Sequence, residues 1–259
     1  MREFLHNLIT EWWGITIIIV MSIGIWIFLS ALLYRPFFKR FYDIFLSGIA
    51  MIVLSPVLLL LIIVGAIKMK GNPFFVQKRP GKKGKIFHLI KFRTMTCEKD
   101  IDGNLLPDEK RLTKYGRILR STSLDELPEL LNIFIGDMSI VGPRPQLVRD
   151  MVFMNEEVQK RHSIRGGLTG LAQVSGRNNI TWEQKFAYDL EYIQKISLFG
   201  DLKIIFLTAW KVLKRSDVER EGTVSDIDYG DWLLQELAIT REEYDEKQEE
   251  AKRILGNKR

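Results

Sequence analysis

The stretch IFLSGIAMIVLSPVLLLLIIVGAI, residues 44–67, decides how the rest of the chain is read. It runs for 24 residues without a charge, more than the ~20 that a helix rising ~1.5 Å per residue needs to cross a bilayer. Basic residues stand on both sides of it: Arg35, Lys39 and Arg40 before, then Lys68, Lys70, Lys78, Arg79, Lys82, Lys83 and Lys85 after. Positive flanks stay in the cytoplasm, so both ends of this stretch belong on the same face. Ser55 and Pro56 lie at its midpoint. A proline there removes one helical hydrogen bond, clashes with the preceding turn and opens a kink that a nearby serine can partly satisfy. A helix that enters the bilayer, bends and returns to the same face meets both facts; a proline-kinked ordinary span is the alternative.

Towards the N-terminus, residues 12–33 form a second uncharged run of 22 residues. It reads as a transmembrane helix rather than a signal peptide, because it is long, only Arg2 precedes it as a basic residue, and no small-residue cleavage site follows. The basic flank at Arg35, Lys39 and Arg40 then places residue 35 onward in the cytoplasm. At 259 residues, with 46% apolar and 27% charged side chains, the chain is too polar for a multi-span transporter and fits one catalytic domain on an anchor. Its net charge of +6 is unevenly spread: −1 over residues 1–34, +13 over 35–216 and −6 over 217–259. A middle that basic attracts polyanions, and the membrane segments favour anionic headgroups or diphosphates over nucleic acid. Cys97 is alone, and His6, His88 and His162 are scattered. Zinc is therefore excluded, and any metal should be a hard, oxygen-bound one.

Towards the C-terminus, GNPFFVQKRPGKKGKIFHLIKFRTM, residues 71–95, alternates aromatic and basic residues. Pro73 and the turn at 81–84 predict a hairpin of two short strands near the headgroups. The acidic pairs Asp100/Asp102 and Asp226/Asp228 read as solvated loops; Leu105 stands where a calcium loop would need glycine. Thr240 and Glu243 form a capping box opening a polar helix to about Leu255, with a solvated face.

The segment RSTSLDELPELLNIFIGDMSIVGPRP, residues 120–145, carries the chemistry. Pro128 is tolerated only in a first turn, so a helix is predicted from Asp125 or Glu126 through Leu130, Leu131 and Phe134 to about Gly136. The acidic pair then stands at the helix mouth, where Ser123 or Asp125 could act as a simple cap and Glu126 could complement the dipole. Arg120 before it and Arg144 in a stiff GPRP turn after it shift the balance towards a site. A third cluster, residues 161–193, has four glycines from Gly166 to Gly176 between Arg165 and Arg177. It reads as a tight-turned β segment whose glycines and arginine forks also suit phosphate.

Taken in this order, the bent Ser55-Pro56 helix, the 71–95 segment, SLDELPELLNIFIGDMSIVGPRP and TGLAQVSGRN followed by Asp189 closely resemble the bacterial sugar transferase family. These are the monotopic phosphoglycosyl transferases that start glycan assembly, such as exopolysaccharide or lipopolysaccharide, on undecaprenyl phosphate. The resemblance runs from about Phe38 to about Gly222. It implies a two-step transfer in which Asp125 attacks the sugar-proximal phosphorus of a UDP-sugar, UMP leaves, and the polyprenyl phosphate collects the sugar-phosphate. It further implies magnesium on Glu126, phosphate contacts from Arg120, Arg144 and Arg177, and a supporting ion pair between Lys91 and Asp189. The segment VLKRSDVEREGTV, residues 212–224, resembles members that handle N-acetylated amino sugars. One departure is Gly166, where the family usually has proline, which should loosen that turn.

The expected fold is α+β and mostly helical, with an N-terminal transmembrane helix (1–37), a proline-kinked re-entrant helix leading into a small cytoplasmic catalytic domain with short strands (38–222), and an acidic helical tail (223–259). Expected partners are a UDP-sugar, undecaprenyl phosphate and the bilayer of a bacterial inner membrane, not nucleic acid, with homo-oligomerisation left open. A polyprenyl-diphosphate phosphohydrolase and a non-enzymatic export scaffold are the competing readings.

Overall fold

The computed structural model describes residues 2–176, 180–214 and 227–256. Helix α1, Arg2–Leu32, contains Trp12–Leu32, which is long and apolar enough to cross a membrane and has almost none of its surface covered. A helix so bare is not the core of a soluble domain. A π-helical turn, Tyr34–Phe38, leads into α2, Lys39–Val53, and then α3, Ser55–Lys68. The two arms of this pair bend by 65°. The cause is local: Pro56 has no N–H to give to the Ile52 carbonyl, and Ser55 Oγ donates to that carbonyl instead at 2.7 Å.

The hairpin predicted between residues 71 and 95 is present. Strand β1, Phe74–Pro80, pairs antiparallel with β2, Ile86–Phe92, in a register that sets Phe74 opposite Phe92 and Pro80 opposite Ile86. It lies across the bend between α2 and α3. Phe87 and Leu89 share a core with Leu130, Ile133 and Met138 and pack on Ala50, Met51 and Leu54 of the bend. Phe92 packs with Leu61 and Leu119.

Helices α4, Asp108–Arg111, and α5, Lys114–Ser121, precede a 3-10 turn, Leu124–Glu126, and then α6, Glu129–Ile135. Helix α6 ends on Gly136, whose φ of 107° is the left-handed cap that glycine supplies. Strand β3, Met138–Val141, follows, then the one-turn helices α7, Val148–Met151, and α8, Glu156–Gln159. Strand β4, Gly166–Thr169, pairs parallel with β3. Here the backbones nearly touch, since a Cβ on Gly167 would lie 2.1 Å from the Gly142 nitrogen. Gly166 is not a loose turn but a strand residue opposite Met138, and a Cβ on it would lie 2.5 Å from Cγ of Pro145. The space that a side chain would take is already filled.

Helices α9, Leu171–Ser175, α10, Trp182–Gln194, and α11, Leu198–Lys214, close the body around Val141, Val174, Tyr192 and Ile204. Helix α11 turns Phe199, Leu202, Phe206, Trp210 and Leu213 outward, a continuous apolar face by their spacing.

The tail forms α12, Tyr229–Gln235, and α13, Arg241–Gly256. Its expected solvated face is only half the picture. Ala251, Ile254 and Leu255 dock on Val148 and Val152, because three apolar residues at helical spacing make a short stripe among the charges. Thr240 Oγ1 accepts from the Glu243 amide at 3.1 Å, as a capping residue should. Asp228 does not sit in a solvated loop: it is partly buried and paired with Arg149. Asp226 lies outside the described residues. Asp100 does sit in an exposed turn, accepting from the amides of Asp102 and Asn104.

Candidate active site

The acidic pair is presented by an irregular turn rather than by a helix mouth. Ser123 adopts φ 56° and ψ 18°, a left-handed conformation uncommon for a non-glycine residue. It reverses the chain after α5 and sets Leu124–Glu126 as the single 3-10 turn in front of α6. Neither turn nor helix takes a side-chain cap: Ser123 makes no capping bond, and Pro128 is the residue before α6. Capping therefore does not account for Asp125 and Glu126, and backbone strain beside them is of the sort found at functional sites.

Glu126 is pinned. Its Oε1 accepts from Lys91 Nζ of β2 at 2.7 Å and from Arg144 Nη2 at 2.7 Å. Lys91 also lies 3.1 Å from Oε1 of Glu129, a carboxylate only 3% exposed in the first turn of α6. Burial works against the Glu126 carboxylate, but Arg144 and Lys91 outweigh it and hold its pKa well below the usual range. Glu126 in turn pushes the Arg144 pKa up.

Asp125 is treated differently by the same surroundings. It makes no hydrogen bond or ion pair among the described residues. Burial, reinforced by the charge of Glu126, pushes its pKa up to about 6 against the pull of Lys91, Arg144 and Arg120. Glu129 goes up to about 7, by burial and the nearness of Glu126, with Lys91 opposing. One carboxylate is thus fixed and ionised, while its neighbour is unengaged and close to neutrality in its titration.

The other expected site residues divide. Arg120 stands at the end of α5 with Nε donating to Thr94 Oγ1 at 3.2 Å. Arg177 lies outside the described residues. The ion pair expected between Lys91 and Asp189 is not formed: Lys91 is taken by Glu126 and Glu129, and Asp189 by Arg161. Arg161 Nη2 and Nε reach Asp189 Oδ2 at 2.6 and 3.0 Å, both side chains being almost fully buried. Asp189 acts one step back, because Arg161 Nη2 also donates to the Arg144 carbonyl at 2.7 Å. Arg79 Nη1 holds the next carbonyl, that of Pro145, at 3.0 Å. Arg165 turns away, to the Gly136 carbonyl. Sequence reasoning missed Glu129, Arg161 and Arg79. Glu129 carried a faint signal, an acid one helical turn beyond Asp125 and Glu126; the two arginines carried none.

For a metal the donors are few. No group of three or more Asp, Glu, His or Cys among the described residues is arranged to hold an ion. Two adjacent carboxylates, one already bearing two cations on the same oxygen, do not make an all-protein cage. They do suit magnesium held by one or two carboxylates with substrate phosphates completing the shell.

A family model for bacterial sugar transferases matches residues 34–215, from the π-helical turn to just beyond α11. The chain belongs to this family. Among curated relatives, the Bacillus subtilis sugar transferase EpsL is 46% identical over 187 residues, covering 72% of this chain and 93% of EpsL. A UDP-glucose:undecaprenyl-phosphate glucose-1-phosphate transferase of Klebsiella pneumoniae is 41% identical over 67% of this chain, which spans only 40% of that enzyme's length. The exopolysaccharide production protein ExoY of Sinorhizobium fredii is 38% identical over 66% of this chain and 83% of its own. The shared part of this sugar transferase holds Lys91, the acidic turn, Arg144 and Asp189; α1 and the tail from α12 lie outside the matched residues.

Proposed function

We propose that this sugar transferase moves a sugar-1-phosphate from a UDP-sugar to undecaprenyl phosphate through a covalent intermediate on Asp125. The observation that carries the reading is the contrast within the acidic pair, an unengaged Asp125 beside a Glu126 fixed by Lys91 and Arg144. In the first step a carboxylate oxygen of Asp125 bonds to the sugar-proximal phosphorus, the bond from that phosphorus to the bridging oxygen breaks, and UMP leaves with the electron pair. In the second, a phosphate oxygen of the lipid attacks the same phosphorus and the Asp125–phosphorus bond breaks. The products are a lipid diphosphate sugar and free Asp125. Arg144, Lys91 and Arg120 bring positive charge to a place where a carboxylate must approach a diphosphate. Magnesium, with Glu126 and the donor phosphates as ligands, would supply further neutralisation between those like charges.

The bent pair α2–α3 is read as re-entrant within the cytoplasmic leaflet of the inner membrane. Supporting this, both its ends attach to one body: Lys39 and Arg40 bond to it at the start, and Gly65, near the end, packs on Pro73 and Tyr115. The outward apolar face of α11 would lie on the same interface. Cysteines replacing Arg40 and Lys70 should both be shielded from an impermeant thiol reagent added to intact cells; labelling at 70 alone would make the pair a true span.

For the donor, residues 212–224 favour an N-acetylated amino sugar, whereas relatives named for a substrate act on glucose or galactose units. Purified protein with magnesium, undecaprenyl phosphate and a panel of UDP-sugars tests the whole reading. UMP release that requires no lipid phosphate and yields no lipid-linked sugar would point to hydrolysis, and none with any donor would remove the function.

A further inference from the structure

The first five residues of α2 carry three charged side chains that reach into the catalytic body, with partners at the end of α6, on β3 and on α10 and α11. Arg40 Nη1 and Nη2 donate to the carbonyls of Ile133 and Phe134 at 2.6 and 2.8 Å, satisfying groups left open at the end of α6. Asp43 Oδ1 accepts from Ser139 Oγ at 3.0 Å and from the Ile140 amide at 2.9 Å. Lys39 Nζ donates to the Val141 carbonyl at 2.9 Å, to Tyr192 at 3.0 Å and to Asp201 Oδ2 at 2.6 Å. Asp201 is locked in turn by the hydroxyls of Tyr34 and Tyr192. Three successive residues of β3 are therefore hung on the membrane helix.

Arg144 comes three residues after Val141, and little freedom separates them. Gly142 is wedged, its amide donating to the Thr169 carbonyl at 2.8 Å and the place of its missing Cβ 2.6 Å from the Arg165 carbonyl oxygen. Pro143 has a ring-fixed φ, and its carbonyl accepts from the Gly167 amide at 2.9 Å. A shift of β3 must therefore appear at Arg144.

We infer that Asp43 and Lys39 are positioning residues that aim the Arg144 guanidinium at Glu126 through β3, so that α2 belongs to the catalytic geometry as well as to the anchor. For attachment alone charged groups are a poor choice. Asp43 and Asp201 are 4% and 2% exposed, and well-packed apolar side chains often replace buried ion pairs without loss of stability. What charged hydrogen bonds add is direction, and both Asp43 bonds end on the strand that leads to Arg144.

The inference rests on the proposed transfer, and one experiment separates the two. UMP release by the full-length chain is measured for Asp43→Ala, Asp43→Asn and Ser139→Ala, each in the native and in the Arg144→Lys background. Asp43→Ala should lower kcat about 100-fold in the native background, the scale of an ångström-level misplacement. Asp43→Asn, whose Oδ1 can still accept both bonds, should recover to within about threefold of the wild type. In the Arg144→Lys background, where a point charge replaces the fork, Asp43→Ala should lower kcat by less than about threefold further. Should Asp43→Ala fail to fold, Ser139→Ala removes one of the two bonds in a small buried residue and should show the same non-additivity at about tenfold. Equal losses in both backgrounds, or no loss in the native one, would overturn the inference while leaving the transferase reading intact. A wild type that releases no UMP would remove both.

Discussion

Two sets of carboxylates share one chain and meet opposite fates. Residues 217–259 hold thirteen acidic side chains against three in the candidate site, Asp125, Glu126 and Glu129. In α13, Glu249 pairs with Lys252 and Asp245 with Arg241 at helical spacing, all more than half exposed. Water screens such pairs, and they contribute little. Glu126 and Glu129 are three residues apart, as Glu249 and Lys252 are, but they are enclosed and share a lysine. Burial pushes Asp125 and Glu129 up to about 6 and 7, while Lys252 only draws Glu249 down. Desolvation beside fixed cations, not the number of acids, makes the site.

The sharpest break of this contrast is Asp125→Asn, which keeps the shape and removes the charge proposed to attack. UMP release should fall by about three orders of magnitude or more, the scale of losing a nucleophile, while the variant inserts into the membrane normally. Given UDP-sugar without lipid, the wild type should gain one sugar-phosphate on the peptide holding Asp125. An adduct on Glu126 would invert the roles.

Next comes Glu126→Gln, expected to lose about 10²- to 10³-fold as the anchor for Lys91 and Arg144 goes. Manganese binding in the presence of donor, followed by electron paramagnetic resonance, should weaken with it. Undiminished turnover in EDTA would take the metal away from Glu126.

The third effect is graded. On the proposed mechanism Asp125 must be ionised to attack, so UMP release should decline about tenfold per unit as pH falls below about 6. Its folded pKa is raised above the unfolded ~3.9, so the stability linked to its proton is full below that value and is lost as pH rises through about 6. Asp125→Asn should abolish that slope and raise the melting temperature at pH 7 even as it removes activity. A flat rate profile from pH 5 to 7 would contradict the assignment.

Smallest of all, Glu249→Gln or Lys252→Gln should leave UMP release within about twofold, as exposed pairs do. Ala251→Asp, by contrast, should lower the melting temperature, because Ala251 is 2% exposed against Val148 and Val152. If Glu249→Gln matched Glu126→Gln, burial would not be the deciding variable.

What could be read from sequence follows the same line. Strong local signals were legible: the β1–β2 hairpin from its alternation and turn, the bend from Ser55-Pro56, the acidic pair from its setting between Arg120 and Arg144. Non-local pairings were not. Strands β3 and β4 are four residues each, too short to show a period, and 24 residues lie between them. Asp189 was found, but its partner was misassigned, because nothing in the order of residues distinguishes Arg161 from Lys91 as the cation it meets. Lys39 and Arg40 read only as a membrane flank and Asp43 went unread, since topology and hydrogen bonding draw on the same residue types.

The packing of the hairpin on the bend also dictates an order of assembly. Phe87, Leu89 and Phe92 have apolar partners in Ala50, Met51, Leu54 and Leu61 as well as in the body, so part of the body's core is shared with the bent helices. The bent helices leave the ribosome before the strands that pack on them. A version trimmed at Lys70 to make it water-soluble would expose the underside of that shared core and aggregate; the chain is indivisible.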